Sequence, residues 1–134
     1  MGNNNILYVE DNHDNMMLVK RALEARGYRL LEAANGLKGL DVAEHENVDL
    51  ILMDINLPVM DGYTLTARLK TLPELDSIPI IALTANVMRG DRERTLEAGC
   101  DGYIQKPVDV DVFPMLIARF LQAAANAQEK LHVQ

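Results

Sequence analysis

Short apolar runs alternate along this chain with stretches of helical spacing, and that alternation leaves few folds open. Ile6-Leu7-Tyr8-Val9, Leu50-Ile51-Leu52-Met53 and Ile80-Ile81-Ala82-Leu83 are continuous apolar runs, as expected of parallel strands covered on both faces. Tyr28-Arg29-Leu30-Leu31-Glu32-Ala33 is more mixed, and Tyr103-Ile104-Gln105 is short and weakly apolar, which suits strands at the sheet edges. The pattern predicts strands near 5–9, 28–33, 49–53, 78–83 and 102–105. It predicts helices near 13–26, 36–46, 63–72, 88–98 and 110–124.

Such alternation implies βαβ units, right-handed crossovers and a parallel sheet. With the second and fifth strands at the edges, the expected fold is α/β: a flavodoxin-like (βα)5 three-layer sandwich with strand order 2-1-3-4-5. Helix punctuation agrees. Gly27 and Gly99 read as C′ residues ending the first and fourth helices, and Asn12 or Asp14 can cap the first. Phe113, Leu116, Ile117, Phe120 and Leu121 give the last helix its apolar face. Pro114 fits there if Asp111 is the N-cap, because the first turn has no use for its missing N–H. One domain is expected over 1–134, with its core at about 5–121 and a tail that frays from Gln122.

Charge and composition remove several function classes. The chain carries 20 acidic and 13 basic side chains, a net charge of −7, which disfavours non-specific binding to nucleic acids or anionic membranes. No apolar run approaches the roughly 20 residues of a membrane span. The start, Met1-Gly2-Asn3-Asn4-Asn5, has no signal-peptide features, and Ile6 stands where myristoylation wants Ser or Thr. The single cysteine, Cys100, excludes an internal disulfide. These features point to a cytoplasmic protein. The length leaves no room for an effector domain, so a protein partner is expected to carry the output. No glycine-rich loop follows the first strand, so nucleotide or flavin phosphate binding is unsupported.

The chemistry lies at the strand ends. Glu10-Asp11 follows the first strand, Asp54 the third, Thr84 the fourth and Lys106 the fifth. In an open parallel sheet, ligands bind beyond the carboxyl ends of the strands, at the switch point. Order 2-1-3-4-5 makes the first and third strands neighbours, so three carboxylates should meet there. Taken singly, each residue has an ordinary reading. Glu-Asp caps a helix, an Asp or Thr closes a strand, and a Lys before Pro107 lies on the surface. Together at one edge they suit a divalent cation and a phosphoryl group. Clustered carboxylates repel one another, and Mg²⁺ relieves this while keeping several waters and phosphate oxygens. Glu10, Asp11 and Asp54 are its natural anchors. Lys106 offers a point charge for a phosphoryl oxygen, and Thr84 a short hydroxyl donor. Asp54 can act as an aspartyl nucleophile. His13 reads as a solvent-facing residue at the rim, His45 and His132 as surface residues, and Cys100 as a small buried side chain.

These residues resemble the receiver domains of two-component response regulators. The matching segments are Ile6 to Asn12, Asp49 to Gly62, Pro79 to Ala85, and Ala98 to Pro107. The resemblance implies that Asp54 is the phospho-accepting aspartate and that Glu10, Asp11, Asp54 and the backbone carbonyl of Asn56 hold Mg²⁺, for which Mn²⁺ can substitute. It makes Thr84 and Tyr103 the switch pair, with Tyr103 turning inward after phosphorylation. It makes Lys106-Pro107 a cis peptide. Leu57 replaces the methionine common before Pro58. Asn56 and Asn86 occupy positions that flank the attacking water. The Asn12-x-x-Asn15 start of the first helix and the stretch from Ala85 to Glu93 look closest to receivers of hybrid kinases and single-domain phosphorelay regulators.

The function so implied is a single-domain receiver, a phospho-accepting switch rather than an enzyme, which assists its own phosphorylation and dephosphorylation. It takes a phosphoryl group on Asp54 from a histidine kinase or histidine phosphotransfer protein and signals to a protein effector. The rivals are a receiver module of a hybrid kinase or phosphorelay, a Mg²⁺-dependent phosphohydrolase, and a binding module that works without phosphorylation. The phosphohydrolase needs a general acid, which Asn56 does not offer, and no histidine or serine arrangement suggests hydrolase chemistry.

Overall fold

The computed structural model describes residues 4–57, 60–85 and 91–133, without the side chains of 91, 92 and 128–133. The elements run β1 (Asn5–Val9), α1 (His13–Glu24), β2 (Arg29–Ala33), α2 (Gly36–His45), β3 (Leu50–Asp54), α3 (Gly62–Lys70), β4 (Ile80–Thr84), α4 (Asp91–Glu97), β5 (Gly102–Gln105) and α5 (Phe113–Val133). All four strand pairings are parallel, in the order β2-β1-β3-β4-β5. This is the expected flavodoxin-like sandwich.

The continuous apolar runs explain the layers. Successive strand residues point to opposite faces, so a strand apolar at every position needs cover on both. Leu7, Val9, Ile51, Met53, Ile80 and Ala82 face one core, closed by Ala43 of α2 and Leu65 and Leu69 of α3. Ile6, Tyr8, Leu50, Leu52, Ile81 and Leu83 face the other, closed by Met16, Val19 and Leu23 of α1 and Phe113 and Ile117 of α5. β3 and β4 are buried along their whole length, whereas β2 exposes Arg29 and Glu32 and β5 exposes Gln105.

Both predicted C′ glycines sit in left-handed turns, Gly27 at φ 88° and Gly99 at φ 110°. Each turn closes with the Schellman pair of bonds. Tyr28 N–H reaches Leu23 O and Gly27 N–H reaches Glu24 O, while Cys100 N–H reaches Thr95 O and Gly99 N–H reaches Leu96 O. Asn12, not Asp14, caps α1, accepting from Asn15 N–H at 2.9 Å.

The start of α5 differs from expectation. Asp111 is not its cap, because Asp109 intervenes. The Asp109 carboxylate accepts from Asp111 N–H, and its carbonyl accepts from Val112 and Phe113 N–H, so the chain coils before the helix begins at Phe113. Pro114 still lies in the first turn. The helix runs on to Val133, beyond the end expected near 124. The expected onset of the fourth helix at 88, together with Asn86, Pro58 and Val59, lies outside the described residues.

Candidate functional site

Four strand ends build the site. β1 delivers Glu10, which is buried, and then Asp11, which is exposed. β3 ends at Asp54 and β4 at Thr84, both buried, and Lys106 follows β5. The β1–β3 register pairs Val9 with Met53, so Glu10 and Asp54 leave adjacent strands side by side. Lys106 N–H donates to the Thr84 carbonyl at 2.8 Å, continuing the β4–β5 ladder to the site's edge.

Carboxylate oxygens of Glu10, Asp11 and Asp54 lie within 4.8 Å of one another. Lys106 is inserted among them. Its Nζ donates to Glu10 Oε1 and to Asp54 Oδ2, both at 2.9 Å. Burial lowers the affinity of this ammonium for its proton, but the two bonds outweigh burial and the net shift is upward, so Lys106 stays charged. Asp54 Oδ1 accepts from Asn56 N–H at 2.9 Å. Glu10 Oε2 accepts a longer bond, 3.3 Å, from Asn12 N–H, so the residue that caps α1 also meets the acidic pair.

The structure therefore brings Glu10, Asp11, Asp54 and Lys106 together and sets Thr84 at the same sheet edge. Tyr103 lines a recess that none of the three carboxylates shares. It is half-buried on β5 and shares the recess with Ile104, Gln105, Pro107 and residues of α5. The Lys106-Pro107 bond is cis. His13 and His45 are exposed and Cys100 is buried, as expected. His132 lies beyond the described side chains.

One participant was not foreseen. Tyr8 reads in the sequence as strand filler, yet its hydroxyl donates to Glu10 Oε1 at 2.8 Å in a fully buried bond. Burial first, then the neighbouring Glu10 charge, pushes the Tyr8 hydroxyl far above its ordinary range, so it remains a donor. A signal was available, since residues two apart on a strand share a face.

The donor set fits a hard cation. Three carboxylates offer only oxygen, and exposed Asp11 opens the cluster to the waters that Mg²⁺ retains. Glu10, Asp11, His13 and Lys38 line an open recess of about 300 Å³ on one side of the cluster. On the other, Tyr8, Leu18, Val19, Lys106, Pro107 and Val108 line a mostly apolar recess of about 380 Å³. Among the described residues no helix is long and apolar enough to cross a membrane.

Comparison with known proteins gives a consistent result. The family model for the response regulator receiver domain matches residues 6–118. The polar-differentiation response regulator DivK of Brucella anthropi is 46% identical over 116 residues, covering 87% of this chain and 94% of that protein. The receiver domain of sensor histidine kinase PA1611 from Pseudomonas aeruginosa, solved with a magnesium ion coordinated in its active-site cleft, is 38% identical. Its TM-score is 0.83, over 90% of this chain and 99% of that one. The receiver domain of a signal transduction histidine kinase from Syntrophus aciditrophicus is 36% identical with a TM-score of 0.82, over 90% and 91% of the two chains. The chemotaxis response regulator CheY4 of Vibrio cholerae shares the fold, with a TM-score of 0.84 at 24% identity over 88% and 98%.

Proposed function

The chain belongs to the response regulator receiver-domain family of two-component signalling, and from that premise we propose that Asp54 is its phosphoryl acceptor. The observation that carries this reading is the Lys106 ammonium held 2.9 Å from both Glu10 and Asp54, at the point where four strands end.

In the proposed reaction an Asp54 carboxylate oxygen attacks the phosphorus of a phosphohistidine. The P–N bond breaks, its electron pair stays on the imidazole nitrogen, and an acyl phosphate forms on Asp54. Glu10, Asp11, Asp54 and the backbone carbonyl of Asn56 would hold Mg²⁺ or Mn²⁺. The ion supplies charge neutralisation for the carboxylates and the phosphoryl oxygens. Lys106 is placed to exchange a carboxylate for a phosphoryl oxygen, and Thr84 to donate its hydroxyl to another. Such transfer depends mainly on positioning and charge, so the same residues assist both phosphorylation and hydrolysis. Tyr103 then turns inward, and the surface of α4, β5 and α5 is the output. Phosphorylation thereby biases a two-state equilibrium. The phosphoryl donor is a histidine kinase or histidine phosphotransfer protein, the recipient of the signal is a protein effector, and the compartment is the cytoplasm.

The test is incubation with Mg²⁺ and acetyl phosphate, followed by intact mass. A single phosphate adduct is expected, absent with EDTA and absent in Asp54→Asn. No adduct, even with a histidine kinase as donor and rapid quenching, would overturn the assignment. The likeness to two kinase receiver domains favours a second reading, a module that passes phosphate along a relay. Transfer from phosphorylated protein to a histidine phosphotransfer domain would distinguish it.

A further inference from the structure

We propose that Tyr8 is a positioning residue for the cation site, its hydroxyl holding Glu10 so that Oε2 is presented to the metal. The inference rests on the receiver reading above and deepens it.

Glu10 is a buried carboxylate, and a buried charge is costly unless every lone pair finds a donor. Oε1 has two donors, the Tyr8 hydroxyl at 2.8 Å and Lys106 Nζ at 2.9 Å. Among the described residues, Oε2 has a single, long bond from Asn12 N–H at 3.3 Å. Oε1 is thus saturated, and Oε2 is the oxygen with capacity left for a cation. The two donors on Oε1 are not equivalent. Lys106 is shared with Asp54 and must leave Glu10, in whole or part, to serve a phosphoryl oxygen. Among the described residues Tyr8 has no such alternative. Its side chain is fully buried between β1 and the α1–α5 layer, in a core with Met16, Val19, Phe113 and Ile117. Its hydroxyl therefore keeps Oε1 satisfied and the carboxylate oriented after Lys106 moves. Donors behind a ligand commonly set metal affinity in this way.

The test is Tyr8→Phe in the full chain, which removes the oxygen and keeps the ring in the core. Mg²⁺ alone is titrated by calorimetry, beside thermal melts without metal. The variant is expected to bind Mg²⁺ about tenfold more weakly. Its phosphorylation by acetyl phosphate should slow at low Mg²⁺ and recover towards the parent rate at saturation. A role confined to packing would lower the melting temperature and leave the Mg²⁺ isotherm in place. Affinity within twofold of the parent overturns the proposal. A parent protein that neither binds Mg²⁺ nor takes phosphate on Asp54 overturns the receiver reading as well, so the two failures are distinguishable.

Discussion

Lys106 stands where a metal's positive charge is also wanted. At close range in a partly desolvated site the two cations repel, so the lysine holds down the affinity of the acidic cluster. Lys106→Ala should bind Mg²⁺ several-fold more tightly by calorimetry while accepting phosphate from acetyl phosphate about tenfold or more slowly. Tighter binding without loss of rate would show that the lysine is only a counter-ion. His45 gives a separate electrostatic test away from the site. Its Nδ1 lies 2.8 Å from the Asp41 carbonyl and 3.1 Å from the Asp41 carboxylate, and these contacts raise its pKa above the ordinary 6.5. A value raised in the folded state means that protonation favours folding. The contribution is full below about pH 6.5 and is lost as pH rises through the higher folded value. An NMR titration of His45 should place its midpoint above 6.5, and Asp41→Asn should lower it. An unmoved midpoint would remove the Asp41 carboxylate as a cause and leave the Asp41 carbonyl, which the substitution keeps. The five strand-end residues were legible because each is the first reactive group after an apolar run. Tyr8 was not, because a tyrosine in such a run has the periodicity of core, and only its hydroxyl gives it a second role.

Between elements, the tolerance is small where helices meet the sheet. Gly39 of α2 lies against β1, and a Cβ there would come 2.8 Å from Val9 Cγ2, one residue before Glu10. Gly39→Ala should cost about 1–3 kcal/mol in chemical denaturation by overpacking. An unchanged midpoint would mean that α2 can shift freely on the sheet. Asp61 caps α3 through Thr64 N–H at 2.8 Å. Its replacement by Ala should cost about 1 kcal/mol. Strands and C′ glycines followed the sequence closely, since apolar runs and a glycine after helical spacing have few local solutions, whereas Asn12 and Asp14 were both open as the α1 cap until the structure placed Asn12 there. The start of α5 did not, because Asp109 and Asp111 stand two apart and either can accept a backbone N–H; in the structure Asp109 does so, from Asp111 N–H itself. The far end of α5 was also misjudged. Gln122-Ala123-Ala124-Ala125 lacks an apolar stripe, but alanine has the highest helix propensity, and the helix continues through it.

For the molecule as a whole, a cation held at this site would couple to folding. The three carboxylates converge only in the native sheet, so Mg²⁺ bound by them would favour the native state over the unfolded chain. At 100 times the dissociation constant it should add about 2.7 kcal/mol, a rise in Tm of roughly 10 °C for a domain of this size. EDTA should reverse the shift in a thermal melt, and Asp11→Asn should reduce it. The overall topology was readable because alternation implied a parallel sheet and two polar strands suited its edges; patterning alone did not make the order unique, and the structure has the expected one. The contact that joins Glu10 to Lys106, 96 positions apart, required the assembled sheet. That distance also bears on synthesis. A growing chain that has emitted Glu10, Asp11 and Asp54 holds the cluster's three carboxylates without the ammonium that bridges two of them, because Lys106 is encoded after β5. On the proposed reading, a ribosome-bound or truncated product that stops before Lys106 would lack the charge the phosphoryl group needs, and only a chain made through β5 and beyond would take phosphate.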